Sequence, residues 1–258
     1  MARKDEYYNR AKQEGYRARS AYKLKQIDDE AGLFGPGNTV VDLGAAPGGW
    51  LQVAAEAVGP EGRVVGVDLQ RIKSLDREDD VVETIRGDMT DEETRSRIQD
   101  LVGEEGADVV ISDMAPNMTG EYSLDHARSV HLARQAFETA LDVLATGGDL
   151  AVKVFDGPDV AGLRAEMDDE FQYVRSIRPD ASRDASSEQY LVGKHRITAP
   201  VRAGDELTVE IEDVGSEGDG IAKVEGFTLF VDGATEGEAV RVRVTDVKPR
   251  FGFAERIE

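Results

Sequence analysis

Apolar runs alternate with amphipathic stretches over the first three quarters of the chain. β-Branched runs at 39–43 and 63–68 end in or near an acidic residue, and helical patterns follow them. This alternation predicts a doubly wound α/β domain with a largely parallel sheet, which is Rossmann-like. The predicted strands are 39–43, 63–68, 81–85, 108–112, 148–155, 171–177 and 189–193. The predicted helices are 20–27, 49–58, 91–101, 125–144 and 160–169.

The last two of these strands lie too close in sequence for a helical crossover, so they are expected to form an antiparallel pair. After Pro200 the pattern changes. Short runs in which every second residue is apolar are separated by glycine-rich turns, with no helical pattern between them. Such runs predict a small closed all-β barrel. The boundary between the two domains is expected near 195–202.

Composition adds limits to this picture. A chain of 258 residues with 40% hydrophobic residues can hold one domain of roughly 200 residues and a smaller second one. It has no cysteine, which excludes disulfides and thiolate metal sites. No run approaches the ~20 apolar residues of a membrane span, and the charged N-terminus lacks a secretory signal. A cytoplasmic protein without a membrane partner is expected.

The net charge of −21 comes from 52 acidic residues against 31 basic ones, only nine of them lysine. This bias resembles proteins of extreme halophiles, although an ordinary acidic protein that avoids nucleic acid would show it too. In molar salt the screening length falls to about 3 Å, so long-range repulsion is lost. The charge therefore does not exclude a nucleic-acid partner.

The first 25 residues depart from that average, with a local charge of +5 and four interleaved tyrosines. Basic and aromatic side chains together suit phosphate contacts and base stacking in RNA. A solvated basic helix is the alternative. The basic residues are Arg3, Lys4, Arg10, Lys12, Arg17, Arg19, Lys23 and Lys25.

The stretch 40–50 predicts a strand, a tight turn and a helix start that together form a nucleotide-sized pocket. It lacks the glycine pattern of dinucleotide sites, so a ligand with a ribose but no phosphate is favoured. Asp68, at the end of the next strand, could accept both ribose hydroxyl protons, and Asp88 could accept from an adenine amino group. The free amides at Gly48 could meet a carboxylate. S-Adenosylmethionine has the ribose, the amino group and the carboxylate that these three positions would bind. Each aspartate taken alone could be only a turn residue.

Five motifs carry a specific resemblance over residues 1–195. They lie at 18–24, 42–50, 112–117, 152–155 and 186–190. Together they resemble the FtsJ-like 2′-O-ribose RNA methyltransferases. The likeness is strongest to members that methylate a uridine ribose in large-subunit ribosomal RNA.

The resemblance implies roles for individual residues. The implied catalytic tetrad is Lys23, Asp113, Lys153 and Glu188, with Lys153 as the proton acceptor. The implied cofactor contacts are Gly48, Trp50, Asp68, Asp88 and Asp113.

The tetrad suits the chemistry. A ribose 2′-hydroxyl is a poor nucleophile and must lose its proton as it attacks a sulfonium methyl. Lys153 can accept that proton only when neutral, which requires a lowered pKa. Burial and the second ammonium of Lys23 favour this, whereas Asp113 and Glu188 oppose it. We expect that Asp113 orients Lys153, while Lys23 and Glu188 position the ribose.

The C-terminal barrel resembles a TRAM domain, an RNA-binding module. The motifs are 218–222, 230–231, 237–240 and 250–254. The domains are therefore predicted as a methyltransferase domain at 1–195, whose basic segment 1–37 contacts RNA, and an RNA-binding barrel at 196–258. A purely structural barrel is the alternative. The candidate RNA face comprises Lys223, Arg241, Arg243, Lys248, Arg250, Phe251 and Phe253.

Three function hypotheses remain from the sequence. The first is an S-adenosylmethionine-dependent methyltransferase acting on a uridine ribose in ribosomal RNA, within the large subunit. The second keeps the chemistry but takes the transfer-RNA anticodon loop. The third is a non-catalytic ribosome-assembly factor. No metal is expected, since the three histidines lack ligand spacing, and a monomer is expected.

Overall fold

The computed structural model describes residues 2–75, 80–183, 186–216 and 218–257, with side chains from residue 6 onward. The chain divides into two compact units. The first comprises Met1–Asp169 and Tyr173–Lys194, and the second comprises Glu170–Gln172 and His195–Glu258. In the described part of the chain, no helix combines the length and the apolar character needed to cross a membrane.

The strands described in the first unit form one sheet in the order β3-β2-β1-β4-β5-β7-β6. The strands are β1 Thr39–Leu43, β2 Arg63–Asp68, β3 Val82–Arg86, β4 Ala107–Ser112, β5 Leu144–Phe155, β6 Phe171–Ile177 and β7 Glu188–Arg196. The helices are α1 Ala2–Glu14, α2 Ala21–Ala31, α3 Gly49–Val58, α4 Glu92–Val102, α5 Tyr122–Val143 and α6 Val160–Asp168. Strands β3, β2, β1, β4 and β5 pair in parallel, and β7 runs antiparallel to β5. The predicted α/β sheet is confirmed.

Two boundaries near the site differ from the prediction. Helix α5 begins at Tyr122 rather than near 125, because the acidic and polar residues at its start form a first turn that hydrophobic periodicity does not reveal. Strand β5 begins at Leu144, directly after α5. The predicted strand begins at Gly148, so the observed strand starts four residues earlier than the prediction.

Close packing of α3 on the sheet positions the turn after β1. Strand β1 is buried along nearly its whole length, with Val40 and Val41 fully inaccessible. On β2, a Cβ atom at Gly66 would lie 2.9 Å from the Leu51 side chain of α3. The glycine therefore lets this helix approach the sheet closely.

A buried ion pair fastens α2 to the sheet. Lys194 on β7 pairs with the Asp149 carboxylate on β5, and its Nζ also donates a hydrogen bond to the Gly32 carbonyl at 2.9 Å. Both charged residues are buried. Gly32 ends α2 in the left-handed conformation, with φ of 58°. The pair thus anchors the helix that carries Lys23.

The described strands of the second unit close into a barrel in the order β10-β12-β11-β8-β9. Its strands are β8 Glu206–Val214, β9 Gly220–Val224, β10 Phe227–Val231, β11 Ala239–Val247 and β12 Phe251–Arg256. Alternate residues such as Val209, Leu229 and Val242 fill the interior. The predicted small barrel is confirmed. Apolar and polar residues alternate along its strands, so one face of each strand is buried in the interior.

Candidate active site

A cavity of about 380 Å³ lies where the parallel strands end. Adjacent parallel strands deliver their following residues to the same sheet edge, which is the usual ligand position in such folds. Asp68 is the last residue of β2, whereas Asp88 follows β3 and Asp113 follows β4. The described lining comprises Gly44, Ala46, Val67, Asp68, Leu69, Gln70, Gly87, Asp88, Met89, Asp113, Met114, Ala115, Leu132 and Gln135.

The turn after β1 depends on glycine at two positions. Gly44 has φ of 81°, and a Cβ there would collide with the Met114 side chain. Gly48 has φ of 107°, and a Cβ there would lie 3.2 Å from a guanidinium nitrogen of Arg17. A positive φ strains any residue with a side chain. Gly44, which sequence reasoning did not single out, thus shapes the cavity wall.

Asp68 and Asp88 are held in fixed orientations at the cavity. The two oxygens of Asp68 accept hydrogen bonds from the Ala46 amide at 2.9 Å and the Gln70 amide at 2.7 Å. Asp88 Oδ1 accepts from the Thr90 amide at 2.9 Å and its hydroxyl at 2.7 Å. A carboxylate can accept about four hydrogen bonds, so capacity remains for a ligand. Both aspartates therefore stabilise a turn and also line the cavity.

Gly48 and Trp50 are not among the described residues that line this cavity. Trp50 is buried, its Nε1 donates to the Ser20 carbonyl at 2.8 Å, and its ring centroid lies 5.7 Å from that of Tyr190. It fastens the start of α2 to α3. A cofactor contact by Gly48 or Trp50 stays a prediction.

Asp42, at the end of β1, is a carboxyl group with raised pKa. Burial is the main cause, and the nearby Asp113 and Asp68 carboxylates add to it. Among the described residues, Asp42 Oδ2 has no hydrogen-bond partner. An ionised form here would be costly, so the site favours a neutral carboxyl group.

Asp42→Asn is expected to stabilise the protein increasingly as the pH rises. The folded pKa of Asp42 lies well above the ordinary value of 3.8, so stability is lost as the pH rises from that value through the folded one. Asparagine removes this loss, which amounts to about 1.4 kcal/mol for each tenfold change in the acid dissociation constant. Thermal melts of both proteins from acidic to mildly alkaline pH check this. A constant difference between the two proteins would contradict it.

The structure brings together the four residues predicted as the catalytic tetrad. Lys153 Nζ lies 2.8 Å from Asp113 Oδ1 and also donates to the Asp113 carbonyl. Lys23 Nζ lies 2.6 Å from Glu188 Oε1 and 3.8 Å from Asp113 Oδ1. Two ion pairs thus share one small volume, and the roles of the four residues stay a prediction.

The register between β5 and β7 brings Lys153 and Glu188 close together. Lys153 lies on β5 opposite Tyr190 of β7, and Glu188 begins β7 opposite Phe155. A cavity of about 550 Å³ adjoins them. Its described lining comprises Ala18, Arg19, Ser20, Lys23, Ala115, Met118, Lys153, Phe155, Arg183, Ser186 and Glu188. Asp113 lines the first cavity and contacts both lysines, so it joins the two cavities.

Tyr190 is a site residue that sequence reasoning missed. Its buried hydroxyl donates to Asp113 Oδ1 at 2.6 Å. Burial, and then the Asp113 carboxylate, raise the pKa of Tyr190 well above its usual value. Residues two apart on a strand share a face, so the spacing of Glu188 and Tyr190 could have revealed it. Tyr190 therefore stays neutral, and its hydroxyl donates the hydrogen bond that holds Asp113 in place.

Several basic residues of the predicted RNA-contacting segment have partners within the chain. The Arg17 guanidinium donates to the carbonyls of Pro47 at 3.1 Å, Lys73 at 2.5 Å and Ser74. Arg19 donates to the Ala181 carbonyl at 2.7 Å. The side chains of Arg3 and Lys4 lie outside the described residues. Arg17 therefore links the segment after β2 to the turn after β1. RNA contact by the N-terminal basic segment stays a prediction.

Comparison with known proteins identifies the class of this site. The FtsJ-like methyltransferase family model matches residues 16–196, and the TRAM domain model matches residues 200–257. The chain belongs to the FtsJ-like methyltransferase family and carries a TRAM domain. The prediction of a methyltransferase is confirmed.

Similar proteins agree with this assignment. A protein of Haloquadratum walsbyi named ribosomal RNA large subunit methyltransferase E is 70% identical over the full length of both chains. A protein of the same name from Natronomonas pharaonis is 69% identical, again over both full lengths. These relatives come from halophilic archaea, as the acidic composition suggested. A solved ribosomal RNA methyltransferase from Plasmodium falciparum, 24% identical, has the same fold, with a TM-score of 0.62 over 70% of this chain and 98% of that one.

Proposed function

We propose that the protein transfers a methyl group from S-adenosylmethionine to the 2′-hydroxyl of a uridine ribose in large-subunit ribosomal RNA. The observation that carries the proposal is the convergence of Lys23, Asp113, Lys153 and Glu188 beside the cavity at the strand ends. A general base and its orienting carboxylate, placed next to a ligand cavity, suit proton removal from a hydroxyl.

The first cavity fits the proposed methyl donor. Asp68, fixed at the end of β2, suits two ribose hydroxyls, and Asp88 after β3 suits an amino group. The glycine at position 44 lets the Met114 side chain pack directly against the turn, and both residues line the cavity. When bound, S-adenosylmethionine supplies the electrophilic methyl group. Gly48, Trp50 and Asp113 are proposed to complete its site.

The tetrad residues are proposed to act in two pairs. Asp113 Oδ1, 2.8 Å from Lys153 Nζ, holds this amine toward the acceptor, and Lys153 accepts the 2′-hydroxyl proton. The Lys23–Glu188 pair, at 2.6 Å, offers a charged donor and acceptor to the remaining ribose groups. Tyr190 keeps Asp113 in place. Such fixed geometry lowers the entropic cost of reaching the reactive arrangement.

The ribosomal substrate is proposed from the names of the full-length relatives. Screening in molar salt removes the long-range repulsion that −21 charges would exert on RNA. A ribosomal substrate implies a cytoplasmic enzyme. All proposed contacts lie within one chain, which is consistent with a monomer.

The test is methyl transfer in molar KCl to purified large ribosomal subunits that lack the modification, with transfer RNA as the competing substrate. We expect incorporation of labelled methyl groups into the large subunit, at the 2′ position of one uridine located by primer extension. Methylation of transfer RNA alone would replace the proposed substrate. No transfer to either RNA would overturn the proposed activity.

The barrel is proposed to add RNA affinity through an aromatic surface. Phe230, Phe251 and Phe253 have mutual ring-centroid distances of 5.6–5.8 Å, and the last two are 38% and 40% exposed. Several predicted basic residues are paired within the barrel, including Arg241 and Arg243 with Glu206. Exposed rings suit stacking by RNA bases, which tolerates high salt better than charge pairing.

Replacing both Phe251 and Phe253 with alanine is expected to weaken RNA binding. Stacking of a base on an aromatic ring contributes roughly 1–3 kcal/mol, so the KM for RNA should rise about tenfold or more. The KM for the methyl donor should not change. Val214→Ala, at an exposed apolar residue of the same barrel, is the matched control. An unchanged KM for RNA in the double variant would favour a purely structural barrel.

A further inference from the structure

A third cavity, of about 250 Å³, adjoins the tetrad cavity and takes no part in the proposed proton transfer. We call it the Tyr122 pocket. Its described lining comprises Met118, Gly120, Tyr122, Asp125, His126, Phe155, Ser186 and Ser187. Met118, Phe155 and Ser186 also line the tetrad cavity, so the two cavities are neighbours.

The loop that forms one wall of the Tyr122 pocket is fixed by Asp125. Its Oδ1 accepts hydrogen bonds from the Thr119 amide at 2.8 Å and the Thr119 hydroxyl at 2.9 Å. Its Oδ2 accepts from the Gly120 amide at 3.0 Å. These bonds, led by that from the Thr119 amide, lower the pKa of Asp125. The loop between β4 and α5 is therefore preorganised, with Met118 exposed on it.

The Tyr122 ring is both exposed and held in place. It is 61% exposed, yet its hydroxyl donates to the Asp156 carbonyl at 2.7 Å. One face stacks on His126, with ring centroids 6.3 Å apart and an interplanar angle of 11°. His126 is buried, with Nδ1 3.1 Å from the Phe155 carbonyl and Nε2 accepting from the Asp159 amide at 3.3 Å. An exposed ring that is already ordered binds a planar partner at low entropic cost.

We propose that the Tyr122 pocket holds the nucleobase of the nucleotide whose ribose is methylated, stacked on Tyr122 with Met118 beside it. This inference rests on the proposed function. A base and the 2′-hydroxyl of one nucleotide are separated by a single sugar ring, which matches two adjoining cavities. The volume is below that of pockets for drug-sized ligands, so it suits one small ring system.

The charge of the Tyr122 pocket favours a base over a phosphate. Among its described lining residues, the charged group is the Asp125 carboxylate, which would repel an anion. Both ring nitrogens of His126 are engaged within the chain, Nδ1 by the Phe155 carbonyl at 3.1 Å and Nε2 by Asp159 at 3.3 Å. A neutral, planar and polarisable group is the class of ligand that Tyr122 and Met118 together select.

The kinetic test compares Tyr122→Ala with Tyr122→Phe, using unmodified large subunits as substrate. Loss of a stacking ring should lower kcat/KM for the subunit roughly 5- to 100-fold, with the affinity for S-adenosylhomocysteine unchanged by calorimetry. Phenylalanine keeps the ring and loses only the bond to Asp156, so kcat/KM should remain within a few fold of wild type. Tyr173→Ala, which removes another exposed tyrosine, should have no effect.

A cross-linking experiment tests the identity of the bound base independently of the folding of any variant. Large subunits containing 4-thiouridine are irradiated with the wild-type protein and S-adenosylhomocysteine, and cross-linked peptides are sequenced. We expect the peptide with Met118 and Tyr122 to be attached to the uridine that wild-type protein methylates. Attachment to another nucleotide, or equal kinetics for Tyr122→Ala and wild type, would overturn the inference. Absence of methylation by wild-type protein would instead overturn the proposed function.

Discussion

Lys153→Ala is expected to lower kcat by roughly 10²- to 10⁴-fold, the contribution of a well-placed general acid or base. Lys153 lies on β5 with its Nζ 2.8 Å from Asp113 Oδ1, beside the cavity lined by Lys23 and Glu188. Removing the amine removes the proposed proton acceptor. Since Lys153 is not among the described residues lining the donor cavity, affinity for S-adenosylhomocysteine should change little.

Lys153→Arg separates proton transfer from simple charge placement. Arginine retains a positive charge and can still pair with Asp113, but it stays protonated at any usable pH. If Lys153 is the base, the arginine variant should be as inactive as the alanine variant. Recovery of a tenth or more of wild-type kcat would instead assign Lys153 an electrostatic role. Single-turnover methyl transfer to large subunits, with calorimetry of donor binding, measures both properties.

The fold could be predicted from the sequence because the pattern of apolar and polar residues that determines each element is local. The bounds of β1, α3 and β2 follow from β-branched runs, an acidic strand end and a glycine turn, and all three coincide with the structure. Elements whose ends depend on polar residues or glycines were less predictable. Two examples are the start of α5 at Tyr122, where the N-cap Glu121 makes no side-chain capping bond, and the start of β5 at Leu144, which pairs with Ala107 of β4.

The candidate site could be predicted from the sequence only in part, and mainly through motifs. A resemblance at separate positions supplied Lys23 and Glu188, which are far apart in sequence. Lys23 lies on α2 and Glu188 on β7, and their side chains meet at 2.6 Å. Partnerships between side chain and backbone could not be foreseen. The Arg17 guanidinium, predicted to contact RNA, binds backbone carbonyls of the chain, and its contact with RNA stays a prediction. Tyr122 carried no motif, and its proposed role depends on contacts with His126 and Asp156.

Asp149→Ala is expected to destabilise the protein by about 3–5 kcal/mol, because it leaves the buried Lys194 ammonium without its carboxylate. At roughly 2–4 °C per kcal/mol for a domain of this size, the melting temperature should fall by about 6 °C or more. Molar salt should not remove the effect, since buried pairs are screened much less than exposed ones. Thermal and denaturant unfolding in molar KCl measure it.

Two control variants show whether burial causes this loss. Glu166→Ala removes an exposed partner of Arg134 and should cost no more than about 1 kcal/mol. Asp149→Ala combined with Lys194→Met removes both charges and should recover most of the stability, because the uncompensated ammonium is then absent. A double variant as unstable as the single one would mean that packing at Asp149, rather than its charge, holds β5, β7 and the end of α2 together. Since α2 carries Lys23, the pair links the stability of the sheet to the geometry of the tetrad.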